Sequence, residues 1–151
     1  MVMVDERPVR LVIWDLAGQE GYQAVRSRYY EGANALIVVY DIAGRESFQN
    51  MTLWLSEAFK RVEKVPIAVL GNKSDLRTSE PQSNFVKTKE GAAFAKGLGE
   101  RLGVPTVFYE TSAMVGENIQ EAITELTRYM IANFDKEMEK REKKTAPRKI
   151  M

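Results

Sequence analysis

The chain of 151 residues contains no cysteine and no histidine. The first absence excludes disulfides, thiolate chemistry and cysteine-based metal sites, and with them a prenylated or palmitoylated tail within this chain. The second removes imidazole as base or ligand. Net charge is nearly absent: 22 Lys and Arg offset 21 Asp and Glu, so no global field points to nucleic acid or membrane. Long apolar runs are missing too. The longest, Ala35 to Tyr40, is far too short to span a bilayer, and the first residues carry Asp5, Glu6 and Arg7 where a signal peptide needs an apolar core. A cytoplasmic protein is the simplest expectation. There is also no Gly-Lys dipeptide anywhere. A phosphate loop of the form Gly-x-x-x-x-Gly-Lys-Ser/Thr is therefore excluded from this sequence.

What is present is ordinary globular composition, 44% hydrophobic and 28% charged, in a length suited to one domain. Four short runs, Val9–Trp14, Ala35–Tyr40, Pro66–Leu70 and Val104–Tyr109, are nearly continuous in apolar residues. That pattern predicts parallel strands covered on both faces. Between them, Phe48, Met51, Leu55, Phe59 and Val62 recur at steps of three or four, as do Ile119, Ile123, Leu126, Met130 and Phe134. Each set predicts a helix with one apolar stripe. Strand–helix alternation of this length implies an α/β, doubly wound, mostly parallel sheet with right-handed crossovers. Met1–Val4 and the run from Val9 read as an antiparallel pair about a turn at Asp5-Glu6-Arg7-Pro8. Arg77–Val86 reads as a polar loop, and Lys87–Leu102 as a weaker helix in which Gly91, Gly97 and Gly99 each cost about 1 kcal/mol against Ala. Residues 135–151 hold seven Lys or Arg and four Asp or Glu. They predict a solvated extension of the last helix that Pro147 stops.

Three segments stand at the carboxyl ends of predicted strands, where open α/β sheets bind ligands: Asp15-Leu16-Ala17-Gly18-Gln19-Glu20, Asn72-Lys73-Ser74-Asp75 and Glu110-Thr111-Ser112-Ala113. In this order they resemble the Ras/Rab small GTPases, and the resemblance runs from about Val9 to Phe134. Tyr29-Tyr30-Glu31-Gly32-Ala33, Tyr40-Asp41-Ile42 and Glu46-Ser47-Phe48 look more like Rab than other branches. The resemblance implies that Asp75 accepts hydrogen bonds from the guanine N1–H and exocyclic amine, that Asn72 ties its loop to neighbouring loops, and that the stem of Lys73 covers the base. The amide of Ala113 would donate to guanine O6 while Ser112 shapes the turn. Met114, where the motif usually has Lys, would pack beside the base. Adenine lacks both donors for Asp75, and an unpaired buried carboxylate costs roughly 1–3 kcal/mol or more, which is how one residue selects guanine. The same resemblance assigns Asp15 to Mg²⁺ through water, Gly18 to the γ-phosphate, Gln19 to the attacking water, and residues Glu20–Tyr30 to a second switch that contacts regulatory or effector proteins. Mg²⁺ with GTP or GDP is the implied cofactor set.

Only 14 residues precede Asp15, where the family carries a first strand, the phosphate loop, the first switch and a first helix. The expectation is thus an incomplete small-GTPase G domain over residues 1–134, N-terminally truncated, with a charged helical tail over 135–151. Alone it is expected to be poorly stable and to bind nucleotide at millimolar strength at best, because guanine contacts are a few hydrogen bonds set against ordering costs. Three readings stay open: a fragment of a Rab-like GTPase that hydrolyses GTP to GDP as a molecular switch, a non-hydrolysing interaction module using Tyr22–Tyr30 and the helix carrying Trp54, or a half-domain needing a complementary N-terminal piece. The loss of the first strand would leave the strand ending at Asp15 and the strand Ala35–Tyr40 with unpaired edges.

Overall fold

A computed structural model describes residues 1–16, 21–79, 81 and 83–146. Its centre is a three-stranded parallel sheet in the order β3–β4–β5, with β3 over Leu36–Asp41, β4 over Ile67–Asn72 and β5 over Thr106–Thr111. The register places Val38 beside Val69 and Phe108, and Ile37 beside Ala68 and Val107. The three apolar runs that predicted these strands end one or two residues too early. Asn72 and Thr111, read as loop residues, are the last rungs of their ladders.

Strand side chains alternate between faces, so two separate cores form. On one face Val38, Tyr40, Ile67 and Val69 pack against Met51 and Leu55 of α2 (Arg45–Ala58) and Ala95 and Leu98 of α4 (Thr88–Leu102). On the other, Ala68, Leu70 and Val107 pack against Ala122 and Leu126 of α5 (Ile119–Thr145). Helices on both faces of a parallel sheet give the doubly wound α/β architecture that the alternation predicted. Of the expected apolar stripe of α2, Met51 and Leu55 are buried and Phe48 is half-buried, while the helix ends at Ala58 and leaves Phe59 and Val62 beyond it; burial of one such side chain contributes about 1.5–3 kcal/mol. In α5 only the middle of the stripe is buried; Ile119 and Phe134 at its ends are exposed.

Two glycines of α4 are explained by close approach. A Cβ on Gly91 would stand 2.2 Å from the Tyr40 hydroxyl and 2.6 Å from the Phe108 ring, and one on Gly99 would stand 2.9 Å from Thr106. The helix can lie this low on the sheet only without those side chains. Gly97 faces open space and has no such compensation. The helix closes at Gly103, whose φ of 64° lets its N–H reach the Gly99 carbonyl at 2.8 Å.

The N-terminal hairpin forms as expected, with β1 (Val2–Val4) antiparallel to β2 (Arg7–Val9). Its turn is tighter than predicted. Asp5 and Glu6 both take positive φ, 49° and 66°, as a two-residue type I′ turn requires, and Arg7 and Pro8 belong to the strand. The hairpin sits on α5. Val4 is buried, Arg7 meets Asp135 and Arg128 meets Asp5, each at 2.8 Å. Asp135, assigned to the tail, is therefore a docking residue, and α5 continues to Thr145; Pro147 lies outside the described residues.

One strand expectation is overturned. Val9–Trp14 is not a strand of the sheet: β2 ends at Val9, and residues 10–16 form no regular element. Val12, Ile13 and Trp14 are 66%, 66% and 63% exposed. Apolar, β-prone residues make a strand only beside another strand, and among the described residues 10–16 pair with none. Trp14 instead rests on Tyr29, with ring centroids 5.0 Å apart. On the main sheet, β3 pairs with β4 alone among the described strands. Its Ile37 and Val39, on the α5 face, remain 38% and 46% exposed. Arg77–Val86 is likewise not all loop, since Leu76–Ser79 forms the short helix α3. No helix among the described residues is long and apolar enough to cross a membrane.

Candidate functional site

The carboxyl ends of β4 and β5 lie side by side, and two loops leave from them. Asn72 closes β4. Lys73 follows with φ of 69°, a left-handed kink that turns the chain sharply across the sheet end. Ser74 then donates its N–H to the Thr111 carbonyl at 3.0 Å, so the first loop is pinned to the last rung of β5. From the other side, Ser112 and Glu117 exchange backbone hydrogen bonds of 3.1 and 3.0 Å and pinch off a small loop containing Ala113, Met114 and Val115. Asn118, at φ of 58°, donates its side-chain N–H to the Glu110 carbonyl and starts α5.

Side chains stitch the two loops together. The Ser112 hydroxyl donates to Asp75 Oδ1 at 2.7 Å. Asn72 Oδ1 accepts the Ala113 N–H at 3.1 Å and the Thr111 hydroxyl at 3.3 Å. The Ser74 hydroxyl donates to Glu117 at 2.6 Å. Thr111 and Ser112 are fully buried, so their polar groups need these partners. The role expected of Asn72, tying loop to loop, is thus visible in its contacts. The consequence is a half-buried carboxylate, Asp75, fixed through one oxygen. Its second oxygen makes no hydrogen bond among the described residues and can accept from N–H donors of a ligand.

Lys73 reaches Asp41 at the end of β3, with Nζ 2.6 Å from Oδ2. The hydrogen bond that Lys73 donates to that carboxylate raises its pKa. Asp41 is itself set in an Asx turn: its Oδ1 accepts the Ala43 N–H at 2.8 Å, and its own N–H donates to the Ser47 hydroxyl. All three strand ends therefore contribute to one polar cluster.

Beneath this cluster lies a second network. Arg77 of α3 donates Nε to Glu110 Oε2 at 2.9 Å, its Nη2 also meets Glu110, and it reaches the Val86 carbonyl at 2.7 Å; Thr88 at the start of α4 donates to the same carboxylate. Sequence reasoning missed Glu110 as a keystone, although it stands in a quoted motif. It also missed Asp41 and Glu117. The one available signal was Asn118, since a non-glycine residue at positive φ is most often Asn or Asp.

Of the sequence-predicted site residues, Asn72, Lys73, Asp75, Ser112 and Ala113 are brought together. The Ala113 amide, expected to face guanine O6, is held here by Asn72. Met114 adjoins them but is 85% exposed and packs on nothing. Asp15 does not join them. It follows β2 by six residues rather than ending a strand, it is exposed, and among the described residues it makes no hydrogen bond or ion pair with the loops. The expectation that all three motifs stand at strand ends is corrected to two. Gly18 and Gln19 lie outside the described residues. No group of three Asp, Glu, His or Cys suited to a metal occurs among the described residues.

Comparison with known proteins agrees with this geometry. The family model for the Ras family matches residues 1–132. The chain is 38% identical over 134 residues to a Dictyostelium discoideum protein named ras-related Rab-5B, covering 88% of this chain and 58% of that protein. It is 40% identical over 123 residues to the ras-related protein YPT3 of Nicotiana plumbaginifolia, covering 81% and 52%, and 40% identical over 126 residues to the ras-related protein RABA1g of Arabidopsis thaliana, covering 83% and 54%. The chain thus spans about half the length of the curated relatives it matches. A match over most of this chain, joined to two of the three motifs at adjacent parallel strand ends, makes it a member of the Ras family of small GTPases.

Proposed function

We propose that this chain carries the guanine-recognition half of a Rab-like GTPase and that the complete domain binds GTP and GDP with Mg²⁺ and hydrolyses GTP as a molecular switch. The observation that carries the reading is the Asp75 carboxylate, held by Ser112 through one oxygen and open at the other, in a loop that Asn72 ties to the Ala113 turn. Such an acceptor suits the paired N–H donors on the guanine edge. Lys73 supports the reading because its ammonium is anchored on Asp41, which stretches its aliphatic stem across the strand ends. By family resemblance Asp15, Gly18 and Gln19 serve the phosphate end, and residues Glu20–Tyr30 contact regulatory or effector proteins. Selection falls on the base and not on the phosphates in this chain, since no loop of the phosphate-binding type occurs in it.

The test is a titration of the chain with GDP and ADP, followed by calorimetry or by loss of a fluorescent analogue. The expected result is a dissociation constant on the order of millimolar, at least roughly tenfold tighter for GDP than for ADP, with the preference abolished by Asp75→Ala. Equal weak binding of both nucleotides would overturn base recognition. Submicromolar GDP binding would overturn the claim that this chain supplies only the guanine half.

A further inference from the structure

Among the described strands the parallel sheet ends at β5, and the outer edge of that strand is open. The ladder to β4 starts with the Ile67 N–H on the Pro105 carbonyl at 3.0 Å, and its register is unbroken from Thr106 to Thr111. Backbone groups alternate in direction along a strand. Those of Val107, Tyr109 and Thr111 therefore point toward β4, and those of Thr106, Phe108 and Glu110 point away from it. The chain itself occupies only the far end of this edge, where Asn118 donates to the Glu110 carbonyl and Glu117 pairs with Ser112. The N–H and C=O of Thr106 and Phe108, and the Glu110 N–H, have no partner among the described residues. A hollow borders this edge on each face. On the α4 face, one of about 430 Å³ is lined by Thr106 and Phe108 with Ala92, Ala95 and Gly99 of α4; its charged members, Lys96 and Glu100, are opposite in sign. On the α5 face, one of about 580 Å³ is lined by Tyr109 with Glu121, Glu125, Arg128 and Tyr129 of α5. No β4 residue lines either, so both lie on the outer side of the sheet.

The hollow beside α5 is acidic. Glu125 accepts the Tyr109 hydroxyl at 2.6 Å, and that bond, then burial, then the charges of Glu125 and Glu121 raise the Tyr109 pKa. Arg128 is already met by Asp5 at 2.8 Å. Glu121 has no hydrogen bond or ion pair among the described residues. We propose that the outer edge of β5 takes an extended basic segment of another protein as a further strand, with small apolar side chains in the α4 hollow and the Lys or Arg between them against Glu121, Glu125 and the rings of Tyr109 and Tyr129. An added strand sends alternate side chains to opposite faces. Main-chain bonds to Thr106, Phe108 and Glu110 attach it, and the two hollows read its alternation of apolar and basic residues. Tyrosine rings beside carboxylates suit a cation on a long apolar stem. A second copy of this chain fits less well. Setting β5 antiparallel to itself keeps both α5 helices on one face and brings Glu121 and Glu125 of one copy toward the same acids of the other, and like charges so placed repel. The β3 edge differs. It shows Ile37 and Val39 to solvent, its Leu36 packs with Tyr30 of α1 (Gln23–Tyr30), a helix that Arg26 ties to Glu57 of α2, and its closing carboxylate, Asp41, is met by Lys73. The β5 edge takes no side chain from the loops that carry the guanine reading, so the proposal does not depend on that reading.

The probe is the capped peptide acetyl-Val-Lys-Val-Lys-Val-Lys-amide, titrated into the full chain at low ionic strength and followed by amide exchange in NMR spectra. A dissociation constant on the order of 100 μM is expected. With peptide in excess, the amides of Thr106, Phe108 and Glu110 should exchange roughly tenfold more slowly. Those of Val107, Tyr109 and Thr111, already bonded to β4, should not change. Glu121→Lys should weaken binding by roughly tenfold, while amide positions away from α5 and β5 stay those of the parent and so show that the fold survives. The peptide with Glu in place of Lys should bind at least about tenfold more weakly, and the Lys peptide N-methylated at every residue, which cannot donate to the edge, should lose its binding. Unprotected outward amides at saturating peptide, equal affinity for the Lys and Glu peptides, affinity that Glu121→Lys leaves unchanged, or protection of Leu36–Asp41 instead would each overturn the proposal. Protection of the same three amides that grows with protein concentration and needs no peptide would overturn it in favour of a second copy.

Discussion

The loops at the ends of β4 and β5 and the segment around Asp15 both carry family motifs, but among the described residues only the first shows a hydrogen-bond network. Asn72, Asp75, Ser112 and Ala113 are held by bonds to one another and by two ladders whose strands are covered on both faces. Asp15 follows a run just as apolar, but after Val9 that run pairs with no described strand, and Val12, Ile13 and Trp14 are largely exposed. A motif becomes a site when its flanking strand has a neighbour. The base end owes its geometry to contacts inside this chain; the phosphate end does not receive that support from the described residues.

The contrast can be broken most severely from below. Glu110→Ala would remove the carboxylate that Arg77 forks and Thr88 donates to, behind the loops at the ends of β4 and β5. Arg77 would keep the Val86 carbonyl but lose both of its hydrogen bonds to the Glu110 carboxylate in a half-buried place. A loss of about 3 kcal/mol is expected, read as a fall of roughly 6–12 °C in melting temperature for a chain of this size. A variant that melts within a degree or two of the parent would mean that the loops stand without this foundation.

A smaller and more direct probe compares one residue from each region. Asn72→Ala deletes the acceptor shared by the Ala113 amide and the buried Thr111 hydroxyl, and should cost about 1–2 kcal/mol. Asp15→Ala removes an exposed carboxylate and should change stability by no more than about 0.5 kcal/mol. Chemical denaturation of the two variants beside the parent measures the difference. Equal losses would show that the Asp15 segment is tied into the fold after all.

Much of this was legible in the sequence, for reasons that also explain the failures. Strand β4 could be read because burial on both faces forces a continuous apolar run, β3 and β5 because their runs are nearly as apolar although Ile37 and Val39 of β3 stay partly exposed, and two motifs could be placed because they follow such runs directly. Val9–Trp14 obeys the same composition rule and fails, because pairing is a property of neighbours and not of the run. Arg26 reads as a solvent-facing helix residue; its role depends on Glu57, 31 residues away, which no local pattern encodes. The glycines of α4 read as a cost to the helix. At Gly91 the missing side chain is what lets the helix settle on Tyr40 and Phe108.

That close approach leaves a trace at Tyr40, the residue before Asp41. Its hydroxyl is buried and has no hydrogen-bond partner among the described residues, and burial pushes its pKa up to about 12. A hydroxyl removed from water without a partner forfeits the hydrogen bonds it makes in the unfolded chain. Tyr40→Phe keeps the ring, with its edge-on contact to Phe48 at 5.0 Å between centroids, and deletes only the unpaired group. Stability should therefore hold or rise by up to about 1 kcal/mol, which would set this position apart from Asn72, where the deleted Oδ1 accepts two hydrogen bonds. A loss of more than 1 kcal/mol by denaturation would show that the hydroxyl is paired in solution, through an ordered water, and that polar support for the strand ends reaches into the core under α4.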